Sequence, residues 1–239
     1  MLVSESFVFV HIPRTGGSFI QTVVGEQLPV LDQSDYTHAP YAELAERWRH
    51  LPAFCVVRNP WDWYVSWFHQ VIGSPQKRSA RLQAPVAPGR EALRRERQAL
   101  WSDLLRSGQA SFDEVVTRAC TGDFQHPLAP MIREQGIDLY SAYVQTIAGD
   151  ALDRPNFTVL RFERLRQQLL LFLRAHADPP KRLRAEIRHA PPMKTSEHRP
   201  YTAYYDESLR ALVGERTGWL RRRFAYEYES SPSRSHGSA

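Results

Sequence analysis

A chain of 239 residues, 42% hydrophobic and 11% aromatic, has the length and apolar content for one well-buried α/β domain and needs no second one. Its net charge of +5 suits an anionic cofactor or substrate, although arginines on solvated faces account for it equally well, and no arginine run is interleaved with aromatics as on a nucleic-acid surface. Two cysteines make neither a disulfide framework nor a metal pattern, and no apolar stretch of about 20 residues is present, so a transmembrane span is not expected. The first residues lack the charged, apolar and cleavage regions of a secretory leader, and a cytoplasmic location is the expectation.

Phe7-Val8-Phe9-Val10-His11-Ile12 is a short β-branched and aromatic run, the pattern of a strand covered on both faces. Pro13-Arg14-Thr15-Gly16-Gly17-Ser18 follows, and Phe19 to Val24 continues as a helix. Glycines let backbone amides approach an oxyanion, a helix N-terminus adds donors and partial positive charge, and Arg14, Thr15 and Ser18 bring side-chain donors. The cation precedes the glycine pair, so this is not the G-x-x-x-x-G-K-[ST] loop, and no G-x-G-x-x-G is present. An ordinary strand–loop–helix corner, with Gly-Gly merely making the turn, is the alternative.

Residues 30–37 form a connector with a weak strand, and Pro40 to Trp48 reads as a helix with proline near its start. Phe54-Cys55-Val56-Val57 is a second strand, followed by Arg58, by Asn59 as N-cap and by Pro60 as first helical residue. Arg58 then lies at the strand end, where open α/β sheets bind ligands. Ser66 follows about two helical turns on, where its hydroxyl and a long guanidinium can converge on one phosphate. The tryptophans and tyrosine of this helix, Trp61, Trp63, Tyr64 and Trp67, with Phe68, read as packing rather than as a sugar platform.

Residues 74–110 are rich in Pro, Arg and Gln and read as an insert, a substrate-side lid, with a helix over 90–105. Ser111-Phe112-Asp113-Glu114 is a capping box. Tyr140 to Ile147 is helical, Phe157 to Phe162 a strand, Arg164 to His176 a packed helix and Tyr204 to Arg223 a last long helix. The domain is expected over 1–229, with 230–239 a polar, disordered tail and no internal repeat.

The two strand-end segments together resemble the sulfotransferases that use 3′-phosphoadenosine 5′-phosphosulfate. Arg14-Thr15-Gly16-Gly17-Ser18 within H-I-P-R-T-G-G-S is similar to their 5′-phosphosulfate loop, and Arg58-Asn59-Pro60 with Ser66 to their 3′-phosphate site, R-x-P-x(5)-S. The H-I-P-[KR]-T-G-G-[ST] form is most similar to the branch of heparan sulfate 2-O-sulfotransferases and small bacterial relatives. The resemblance implies a three-layer α/β/α fold with a central, mainly parallel sheet, of the P-loop nucleotide-binding-like sulfotransferase type. The chain departs from the family at Arg14, where lysine is usual. Lysine occurs only at 77, 181 and 194 among 31 basic residues, and guanidinium is a broad, permanently charged fork rather than a point charge.

The resemblance also implies roles. Arg14, Thr15, Gly16, Gly17, Ser18 and Phe19 would bind the 5′-phosphosulfate, Arg58 and Ser66 the 3′-phosphate. Lys194, Thr195, Ser196 and Arg199, in a loop similar to the family's C-terminal cofactor-closing segment, would donate to the phosphates. His38 is the candidate base for an acceptor hydroxyl, with a helix-capping or surface role as its alternative. His11, expected at the strand end to hydrogen-bond to backbone and so hold the loop, and Asp35 are rival bases. Arg14 is kept as a catalytic candidate. The expected reaction moves a sulfuryl group to a carbohydrate or small-metabolite hydroxyl, releasing adenosine 3′,5′-bisphosphate, without metal and without a nucleic-acid partner. A P-loop-type kinase or nucleotide hydrolase, and a non-catalytic binder of nucleotide or sulfated glycan, are the other readings.

Overall fold

The structure, a computed structural model, describes residues 1–33, 37–71, 111–193 and 198–229. Asp35, the expected lid over 74–110, the loop residues Lys194, Thr195 and Ser196, and the 230–239 tail lie outside them. The chain divides into two compact units, Met1–Asn59 with Tyr143–Thr195, and Pro60–Ala142 with Ser196–Ala239.

In the first unit, β1 (Leu2–Ser4) and β2 (Val8–Val10) form a hairpin closed by one side chain. The Ser4 hydroxyl accepts from the amides of Ser6 and Phe7 and donates to the Phe7 carbonyl. With β3 (Val30–Gln33), β4 (Ala53–Val57) and β5 (Phe157–Arg161) the strands make one sheet in the order β3-β1-β2-β4-β5. β2, β4 and β5 are mutually parallel neighbours, while β1 is antiparallel to both β2 and β3. The sheet is therefore mixed rather than mainly parallel. The reason is local: a tight turn after Ser4 can only return the chain antiparallel, whereas the parallel pairs need long crossovers.

Phe7, Phe9, Phe54, Val56 and Leu160 alternate onto one sheet face, and α1 (Gly17–Gly25), α6 (Leu165–His176) and α7 (Lys181–His189) cover it. Phe19, Ile20, Val23 and Val24 form the buried stripe of α1. The alternate residues Val8, Val10, Ala53, Cys55 and Val57 are also buried, so β2 and β4 are enclosed on both faces. Pro40 to Trp48 is not one helix but two 3-10 turns, Tyr41–Glu43 and Glu46–Trp48, joined by extended Leu44 and Ala45.

The second unit holds α2 (Pro60–Val71), α3 (Phe112–Thr121), α4 (Ala129–Gln135), the start of α5 (Leu139–Ala148), α8 (Glu207–Arg216) and α9 (Gly218–Phe224). Ser111 caps α3 by accepting from the Glu114 amide, as the capping box predicts. Trp61, Trp63, Tyr64 and Trp67 are buried: Trp63 stacks on Tyr140 at 4.5 Å, and Tyr64 donates to Asp138, which caps α5 through the amides of Tyr140 and Ser141. The last long helix is interrupted at Thr217, whose hydroxyl bonds back to the Val213 carbonyl, so it becomes α8 and α9. Both cysteines are free and buried. No helix among the described residues is long and apolar enough to cross a membrane.

Candidate functional site

β2, β4 and β5 are parallel, so all three release the chain at the same sheet edge. There they deliver His11, Arg58 and Phe162, and the site is built on that edge. After His11 the chain turns through Arg14, which has φ 63°, and Gly16, which has φ 87°. A left-handed backbone costs an L-residue about 1–2 kcal/mol, so Arg14 is a strained apex on a loop that packing must hold. Gly16 relieves the second left-handed position. It also has no room for a side chain, because a Cβ would lie 2.8 Å from Leu165 Cδ2 and 3.2 Å from the Phe162 ring. At Gly17 a Cβ would fall inside the imidazole of His11. The glycine pair thus seats the loop on its own neighbours.

α1 starts at Gly17, two residues before the apolar run that marks it in the sequence. The amides of Phe19 and Ile20 donate to the Gly16 carbonyl, so the first-turn amides ahead of them are those of Gly17 and Ser18. The Phe19 ring packs in the core beneath the Arg166 guanidinium, 4.8 Å away. Thr15 is fully buried, and its hydroxyl donates to the Ile12 carbonyl at 2.8 Å, closing the loop from inside. Arg14 is half-buried.

Arg58 is the second cation of the edge. Only 9% of it is exposed, its Cζ lies 4.2 Å from the centre of the Phe162 ring, and its Nη1 donates to the Arg14 carbonyl at 3.3 Å. The guanidinium of one strand end is therefore bonded to the loop of the other. The next amide, that of Asn59, donates to Glu163 Oε1 at 2.7 Å. Neither Phe162 nor Glu163 is legible as a site residue, because in the sequence they look like the end of a strand. The signal was the parallel strand pattern itself, which sends a third strand end to the same edge.

His38 lies beside the loop. Its Nδ1 is 2.9 Å from the His11 carbonyl oxygen, and the two imidazoles meet edge to face with centroids 4.6 Å apart. A carbonyl only accepts, so Nδ1 carries a hydrogen, and in the neutral imidazole Nε2 is then the nitrogen with the lone pair. The His11 ring, 5% exposed, stacks on Phe9 and against Gly17, so it supports the loop through packing.

Ser66 is buried in α2 and Arg199 is exposed before a 3-10 turn at Tyr201–Ala203; both belong to the second unit. Among the described residues no group of three or more His, Cys, Asp or Glu side chains is arranged to hold a metal ion. Comparison of the chain with protein-family models, with curated proteins and with solved structures finds no match in any of the three.

Proposed function

We propose that the chain is a sulfotransferase that takes its sulfuryl group from 3′-phosphoadenosine 5′-phosphosulfate. The observation that carries the reading is the bond between Arg58 and the Arg14 carbonyl, which puts a nearly buried guanidinium against a glycine-rich loop at a parallel sheet edge. Two adjacent oxyanion pockets suit a nucleotide with phosphate at both ends better than one with a single phosphate chain. The fold that goes with this reading is the three-layer, P-loop-like sulfotransferase type, and the acceptor is a carbohydrate or small-metabolite hydroxyl.

In this reading the amides of Gly17 and Ser18 and the cation of Arg14 face the 5′-phosphosulfate, and Arg58 faces the 3′-phosphate. His38, held by the His11 carbonyl with its hydrogen on Nδ1, takes the acceptor proton on Nε2. The acceptor oxygen forms the new bond to sulfur, the bond from sulfur to the 5′-phosphate oxygen breaks, and that oxygen keeps the electron pair. Loop amides and Arg14 stabilise the charge it gains. Most of the rate gain then comes from positioning and preorganised charge.

Calorimetry is expected to give a dissociation constant on the order of micromolar for adenosine 3′,5′-bisphosphate. With radiolabelled sulfate donor and a panel of glycans and small alcohols, His38→Ala should keep that binding and lose transfer. Magnesium-dependent phosphate release from ATP would instead identify a kinase or hydrolase. Binding without transfer to any acceptor, unchanged in His38→Ala, would leave a non-catalytic nucleotide-binding protein.

A further inference from the structure

One aromatic ring lies under both halves of the sheet-edge site. Phe162 sits 4.2 Å from the Arg58 guanidinium, and its Cδ2 and Cε2 fill the space at Gly16, where a Cβ would come within 3.2 Å. The ring is fixed from both sides along the chain. The Arg161 amide donates to Gln168 Oε1 at 2.6 Å, and Glu163 Oε1 accepts the Asn59 amide at 2.7 Å, tying the corner after β5 to the end of β4. Glu163 also faces Arg161, with 3.9 Å between Oε2 and Nε. Phe162 itself packs against the core formed by α1, α6 and the sheet.

We propose that Phe162 is a positioning residue that sets the spacing between the two anion pockets, and so selects nucleotides phosphorylated at both the 5′ and 3′ positions. This rests on the sulfotransferase reading but concerns selectivity, not transfer. A guanidinium over an aromatic face is attracted by the ring through its own flat face, which leaves its plane to hydrogen bonds such as that of Nη1 to the Arg14 carbonyl. With the same ring pressed on Gly16, the loop cannot move without moving the support of Arg58. The two pockets therefore form one ruler rather than two independent sites. Leucine in place of Phe162 would fill apolar volume but offer no face to the cation and less surface to the loop.

The experiment compares calorimetric affinities for adenosine 3′,5′-bisphosphate and adenosine 5′-phosphate in the wild type, Phe162→Leu and Phe162→Tyr. Phe162→Leu should weaken the bisphosphate by about tenfold or more while changing the monophosphate by less than about threefold. Phe162→Tyr, which keeps the aromatic face, should retain the wild-type ratio. A leucine variant with the wild-type ratio, or one that loses both nucleotides alike, overturns the inference and leaves the sulfotransferase reading standing. A wild-type protein that does not distinguish the two nucleotides removes the reading itself, and the inference with it.

Discussion

Gly17 and His11 depend on each other through shape. A methyl group at 17 would collide with a ring that is 5% exposed and stacked on Phe9, so neither partner has room to yield. Gly17→Ala is expected to displace the start of α1 and weaken bisphosphate binding at least about tenfold, with a loss of about 1–3 kcal/mol in stability by urea unfolding. The double variant His11→Ala, Gly17→Ala should recover part of both. A single variant that binds like the wild type would show that the loop does not need this seat. The two glycines were read in the sequence as a phosphate cradle. Their separate reasons were not, because His11, Leu165 and Phe162 are brought to them by packing.

At the scale of elements, a titratable side chain organises the entry to α4. His126 Nδ1 accepts from the Leu128 amide at 3.1 Å, and the Ala129 amide donates to the His126 carbonyl. Burial pushes the imidazole from 6.5 down to about 4. Between those values the unfolded chain binds the proton and the folded one does not, so stability falls as pH drops from about 6.5 toward about 4. The contribution is up to about 3 kcal/mol. His126→Asn, which keeps an acceptor but cannot titrate, should flatten the difference between urea midpoints at pH 7 and pH 5 relative to the wild type. An unchanged pH dependence would refute this role. Other elements show where local pattern stops. A proline start and mixed polarity suggested one helix over Pro40 to Trp48, yet extended backbone at Leu44 and Ala45 divides it into two turns. The strand Leu2–Ser4 is too short to show an alternation, and the Ser4 hydroxyl network creates it.

For the molecule as a whole, a ligand that binds only the folded state must raise its stability by mass action. At about 100 times its dissociation constant, adenosine 3′,5′-bisphosphate should add about 2.7 kcal/mol. For a chain of this length that corresponds to a rise of roughly 5–10 °C in thermal midpoint. Adenosine without phosphates should give no comparable rise, and added salt should shrink the effect, since the contacts are charge-assisted. A midpoint indifferent to the bisphosphate would count against an oxyanion site at this edge.

What the sequence by itself determined was local. A buried strand running into Arg-Thr-Gly-Gly-Ser, and another running into Arg-Asn-Pro and a helix, follow from hydrophobic run length, glycine, proline and capping chemistry, all of which act between near neighbours. Tertiary structure decided what no such neighbour relation encodes: that Arg58 reaches the carbonyl of Arg14, that His38 is turned by the carbonyl of His11, and that Phe162 and Glu163 arrive from the turn after a strand, 104 residues further on. Parallel pairing of β2, β4 and β5 brings those ends to one edge, and pairing between distant strands is set by the packing of the whole sheet.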